Sequence, residues 1–94
     1  MSDRPTVHHN QIAEARNVLG QVIARARFGG EPTVLINRGQ KAGAIVNYED
    51  FATLWELRDY VEELEASDKP DAKVSARVLR EALDVAKRRA LDSS

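Results

Sequence analysis

A small α+β domain with a helical tail is the fold that this 94-residue sequence predicts, and three observations predict it. The stretch from Pro32 to Phe51 places two apolar, β-prone runs around a polar turn and ends on a helix-capping signal. An amphipathic helical pattern precedes that stretch and another follows it. Beyond the break Ser67-Asp68-Lys69-Pro70, a last amphipathic pattern runs toward the C-terminus. The expected architecture is one small sheet, made of a short N-terminal strand and a β-hairpin, with a helix before and after the hairpin. Residues 1–66 form this domain, which is expected to be dimeric, and residues 67–94 form the tail.

Taken in order, Thr6 and Val7 are the first strand signal, and Asn10 is placed to cap a helix running to about Arg27, where Gly29 and Gly30 stop it. Its apolar stripe is Ile12, Ala15, Leu19, Val22, Ile23 and Ala26; Glu14, Gln21 and Arg25 project to the other side, and Arg16 and Arg27 border the stripe. Thr33 to Ile36 is mostly β-branched, Asn37 to Lys41 is polar with Gly39 free to take positive φ, and Ala42 to Val46 is apolar again. The tip of this hairpin presents Arg38 and Lys41. Both strands carry apolar centres, Val34 to Ile36 and Ala44 to Val46, so both faces of the sheet need cover. One helix covers one face, and a second copy of the chain is expected to cover the other.

Asn47 can cap the next helix, from about Tyr48 to Ala66, with Asp50 three residues on as in a capping box. Its apolar direction rotates from Phe51, Leu54 and Trp55 to Leu57, Val61 and Leu64, which fits service to two surfaces. Glu49, Glu56 and Glu63, with Asp59, read as a solvated acidic face rather than a catalytic or metal-binding cluster. From Asp71 to Leu91 a wide stripe of Val74, Val78, Leu79, Ala82, Leu83, Val85 and Ala86 lies opposite Arg77, Arg80, Asp84, Lys87 and Arg88. A lone helix of this length is marginal in water, so the stripe must dock on its own domain or on another protein.

The net charge of −1 hides three blocks: +3 over residues 1–47, −7 over 48–71 and +3 over 72–94. Different segments are therefore expected to meet different partners. With no cysteine, disulfides, thiolate metal sites and thiol nucleophiles are excluded, which fits a reducing, cytoplasmic setting. No apolar run approaches the roughly 20 residues of a membrane span, and the N-terminus lacks the apolar core of a secretory signal. His8 and His9 would face opposite sides of a strand and find no third ligand or triad partner, so a surface or phosphate-contact role suits them better. Gly29-Gly30 and Gly39 match no phosphate-binding loop. No nucleophile, base and orienter can be assembled, and no cofactor or metal is implied, so the chain is not expected to be an enzyme.

The runs Gln11-Ile12-Ala13-Glu14-Ala15-Arg16, Glu31 to Ala42 and Ile45-Val46-Asn47-Tyr48-Glu49-Asp50-Phe51 stand in the order and spacing of an "EAR" helix, an "RGKP" hairpin and an "EDF" helix start. Over roughly residues 6–64 the sequence resembles the Phd/YefM antitoxins of bacterial toxin–antitoxin modules. The resemblance implies a homodimeric N-terminal domain that binds operator DNA and represses its own operon. It also implies a C-terminal segment that wraps and neutralises a partner toxin, a ribonuclease or other growth inhibitor.

The family's DNA-contacting arginines fall on Arg16 and Arg38, with Lys41 and Arg27 as further candidates. The candidate toxin contacts are Val74, Val78, Leu79, Leu83 and Val85, extended by Val61 and Leu64. The expected free state of residues 67–94 is loosely ordered, folding on the toxin. The chain departs from the family pattern in the extra His8-His9-Asn10 before the helix, in Gln40-Lys41-Ala42 in place of a Lys-Pro arrangement, and in its basic tail, where an acidic tail would better suit a basic ribonuclease. The competing reading is a small dimeric protein-interaction adaptor that makes no DNA contact.

Overall fold

The structure is a computed structural model that describes residues 4–92. In chain order it comprises β1 (His8–Gln11), α1 (Ile12–Asn17), α2 (Leu19–Gly29), β2 (Thr33–Asn37), β3 (Gln40–Ile45), α3 (Tyr48–Ala66) and α4 (Pro70–Asp92). The fold is α+β with one three-stranded sheet in the order β1-β2-β3, as the sequence predicts in outline. The chain divides into two compact units, one ending at Ala52 and the other beginning at Thr53.

In the first unit β1 lies parallel to β2, with His8 opposite Thr33 and Gln11 opposite Ile36. The strand thus begins at His8, and Thr6-Val7 lies outside it, a correction to the sequence reading. The residues that looked like an insertion, His8-His9-Asn10, are the strand itself. Backbone pairing explains the shift: the His8 N–H donates to the Pro32 carbonyl at 2.9 Å, and the His8 ring Nε2 donates to Glu31 Oε1 at 2.7 Å. Asn10 is consequently not a helix cap. Gln11 holds that position without a side-chain bond, and Asn10 Nδ2 instead donates to Glu14 Oε1.

The single helix expected from Asn10 to Arg27 is broken at Val18, whose φ and ψ of −122° and 32° are not helical. The Val18 N–H is shared between the Glu14 and Ala15 carbonyls, which closes α1, while the Val18 carbonyl accepts from the Val22 N–H to open α2. At the far end Gly30 takes the left-handed conformation at φ 65°, the expected glycine stop. Val22 and Ala26 on α2 and Ala15 on α1 are buried, together with Thr33 of β2.

Arg25 departs from its expected outward direction. Its Nη2 donates to Asn10 Oδ1 at 3.1 Å and to Thr33 Oγ1 at 3.0 Å, tying α2 to both β1 and β2, while its Nε is buried without a partner. Replacing Thr33 by Val keeps the volume of this fully buried residue but removes one of the guanidinium's two acceptors. We expect a loss of about 1–3 kcal/mol, read as a lowered urea midpoint at unchanged slope.

The hairpin turns through Arg38 and Gly39, both at positive φ (53° and 77°), the pattern of a two-residue type I′ turn. Leu35 faces Gly43 but Ile36 faces Lys41, so Ala42 is an extra residue bulged out of β3. Side chains alternate across the sheet, and the bulge has a consequence for them. His8, Asn10, Thr33, Leu35 and Ile45 share the face that Arg25 grips. Val34, Ile36 and Ala44 share the opposite face, and the bulge transfers Lys41 to it. β3 is exposed from Gln40 to Ala44.

The next helix starts where the sequence predicts: the Asp50 N–H donates to Asn47 Oδ1 at 2.8 Å, so Asn47 is its N-cap. In the second unit α3 ends at Ala66 and α4 opens on Pro70, which sits at the first helical position where its missing N–H costs nothing. Pro70 therefore begins α4 rather than separating it from the break. Lys69 donates its N–H to Ser67 Oγ at 3.2 Å across the turn. Val61 of α3 and Ala76 of α4 are buried.

Arg80 grips Glu65 with two bonds, Nε to Oε2 at 3.2 Å and Nη2 to Oε1 at 2.8 Å, and Lys73 Nζ donates to the Glu65 carbonyl at 3.3 Å. The Arg80 hydrogen bond holds the Glu65 carboxyl below the usual glutamate range. A carboxyl depressed in the folded state contributes its stability fully above the unfolded-state value and loses it as pH falls through the folded-state value. Loss of α3–α4 helicity below the usual glutamate range should therefore be steeper in the native protein than in Glu65→Gln, by circular dichroism. The difference is small because both side chains are solvated.

Candidate functional site

Strand direction decides where the sequence-predicted cations go. β1 runs parallel to β2 toward the hairpin tip and ends with Gln11 level with Ile36, two residues before Arg38. Helix α1 starts at that end and carries Arg16 in its last turn, and Lys41 is paired with Ile36 at the same level. Arg16, Arg38 and Lys41 are therefore brought to one end of the sheet, and all three are exposed. Arg27 is not among them. Helix α2 runs back so that Gly30 can lead into Thr33 at the other end of β2, and Arg27 sits in its last turn, stacked 5.0 Å from the centre of the Phe28 ring. There it borders a groove of about 470 Å³ lined by Ile23, Ala26, Ile45, Val46 and Tyr48.

Arg38 occupies a turn position that glycine, asparagine and aspartate favour, because its backbone φ of 53° costs an ordinary L-residue roughly 1–2 kcal/mol. His9, exposed on β1, alternates with the half-buried His8 as expected, and His8 is engaged by Glu31. Among the described residues no group of His, Asp and Glu is placed to hold a metal ion, and no helix is long and apolar enough to cross a membrane.

In the second unit the surface of α4 divides into three lines, two of them apolar and one basic. Ala72, Ala76, Leu79 and Leu83 recur at helical spacing and are buried or half-buried. Val74, Val78 and Val85 recur on a different line and are 54 %, 61 % and 37 % exposed. Lys73, Arg77, Arg80 and Lys87 form a third, with Asp84 among them, and flank a groove of about 900 Å³ that Glu65 and Ala76 also line. Of the expected contacts on α3, Val61 is fully buried and Leu64 is half-buried, while Trp55 is exposed with Arg58 5.6 Å from its ring centre.

The profile of the antitoxin Phd_YefM family, from type II toxin–antitoxin systems, matches residues 8–81. The chain belongs to the Phd/YefM antitoxin family. The match takes in both units of the antitoxin and ends at Glu81, halfway along α4, so Val85, Lys87 and Arg88 lie beyond the shared pattern. Comparison with curated proteins and with solved structures gave no significant match.

Two features of the antitoxin's sites escaped the sequence reading. The anchoring role of Arg25 carried no signal, since helical periodicity placed it opposite the apolar stripe, and only the tertiary fold brings Asn10 and Thr33 to it. The separation of Leu79 and Leu83 from the three valines was legible in principle, because positions 72, 76, 79 and 83 repeat with their own period.

Proposed function

We propose that this antitoxin acts through two surfaces: the tip end of its N-terminal unit binds operator DNA as a homodimer and represses its own operon, and α4 neutralises a partner toxin. The observation that carries the reading is the family match, which runs from β1 to Glu81 in the middle of α4.

The grouping of Arg16, Arg38 and Lys41 at one end of the sheet supports the DNA contact. Exposed arginines can meet phosphates or a guanine edge, and a dyad would repeat the set on two half-sites. Support for the dimer comes from the apolar residues Val34, Ile36 and Ala44 on the sheet face opposite Arg25, and from the exposed Ile23 and Val46. A second copy would bury what one small core leaves in water. Val74, Val78 and Val85 support the toxin contact, being apolar, exposed and helically spaced.

A mobility shift on the DNA upstream of its own gene tests the first half of the reading. A retarded complex with two copies per site is expected, and absence of any complex at low salt would favour the adaptor reading.

A further inference from the structure

We infer that the toxin docks on α4 through a groove with an apolar floor and an acidic rim, so that the basic side chains of the helix and its valines are read together. The inference rests on the assignment of α4 to toxin binding and adds the chemistry of the partner. On a helical projection Arg77 and Arg88 adjoin Val74, Val85 and Val78 across the solvent side of the helix, while Ala76, Leu79 and Leu83 lie behind them. One partner surface laid along that side meets both kinds of residue. Arg77, Lys87 and Arg88 form no ion pair among the described residues, so their charges are uncommitted.

The same helix already displays the ligand it takes. Arg80, on the basic line, receives the Glu65 carboxylate with two hydrogen bonds. A row of partner carboxylates would find the equivalent donors at Arg77 and Arg88, and planar guanidiniums favour carboxylates that can accept two bonds. Glu81 and Asp84 lie among these cations, which tells against a phosphate backbone as the occupant, since a nucleic acid would meet two like charges. A protein surface can place a neutral or basic group opposite each. Val74, Arg77 and Val78 lie within the family match, and Val85 and Arg88 lie past its end.

The test uses the full antitoxin and the toxin purified from the adjoining reading frame, with affinity measured at low and high salt. Arg77→Glu/Arg88→Glu should weaken binding by about 100-fold at low salt and abolish most of the salt dependence. Arg77→Lys/Arg88→Lys should retain most of the affinity, and circular dichroism of each variant checks that α4 is intact. Arg77→Gln/Arg88→Gln, which adds no repulsion, should fall between the two.

Binding that resists both salt and charge reversal yet is lost in Val78→Asp overturns the acidic rim and leaves the role of α4 standing. Binding unchanged in all variants overturns both. A reversal that changes the sedimentation of the antitoxin alone, or its affinity for a duplex of unrelated sequence, assigns the basic face to a second copy or to DNA and overturns the inference.

Discussion

Val78→Asp/Val85→Asp should abolish toxin neutralisation while leaving operator affinity and helix content unchanged. Both valines are exposed in the free protein, so the carboxylates cost little until a partner covers them. In the complex each would be an unpaired charge in an apolar contact, and the pair should weaken binding by at least about 3 kcal/mol, more than 100-fold. Leu79→Asp/Leu83→Asp is a different experiment. Those leucines share the half-buried line of Ala76, and charging them should also unfold the α3–α4 unit, by about 2–4 kcal/mol. Titration of the toxin's activity against each antitoxin variant, with far-ultraviolet circular dichroism alongside, separates damage to the interface from damage to the fold.

The ordering of α4 bears on the same result. It is a continuous helix from Pro70 to Asp92, and Ala76 is its buried residue. With Ala72, Leu79 and Leu83 only half-buried beside it, the helix has modest local stability. Its amides should exchange rapidly in the free antitoxin and become protected when toxin is added.

Arg16→Ala and Arg38→Ala should each weaken operator binding by about 1–3 kcal/mol for every guanine edge that the arginine reads, and act twice in a dimer. Where the arginine meets phosphate instead, the slope of log K against log salt should fall by about 2 per substitution, one per subunit. Arg27→Ala should change neither, because α2 carries Arg27 toward the opposite end of the sheet. Arg38→Asn divides function from stability: asparagine tolerates the 53° φ better, so the melting temperature should rise by several degrees while operator affinity falls. A fall in both would mean that the side chain of Arg38 serves the fold rather than DNA.

Local chemistry made much of this fold legible. Asn47 before Tyr48, Gly39 in the turn, Gly30 after α2 and the Pro70 break each act through neighbours in sequence, and each marks a boundary in the structure. What escaped depended on partners distant in sequence. β1 could not be placed on His8–Gln11 from propensity, since His, Asn and Gln are poor strand formers and pair only because β2 offers them a parallel edge. The kink at Val18 left no trace in a periodicity that runs on through it. Among the candidate cations, residue type selected Arg16, Arg38, Lys41 and Arg27 alike, and strand direction alone separates the first three from the last.

A crossed rescue shows whether the two units divide the labour. Cells producing the toxin carry a reporter under the antitoxin's own promoter and receive either Arg16→Ala/Arg38→Ala or Val78→Asp/Val85→Asp. The first variant should restore growth but leave the reporter on, and the second should silence the reporter but fail to restore growth. Loss of both activities in either variant, with the protein folded and present at native levels, would contradict that division.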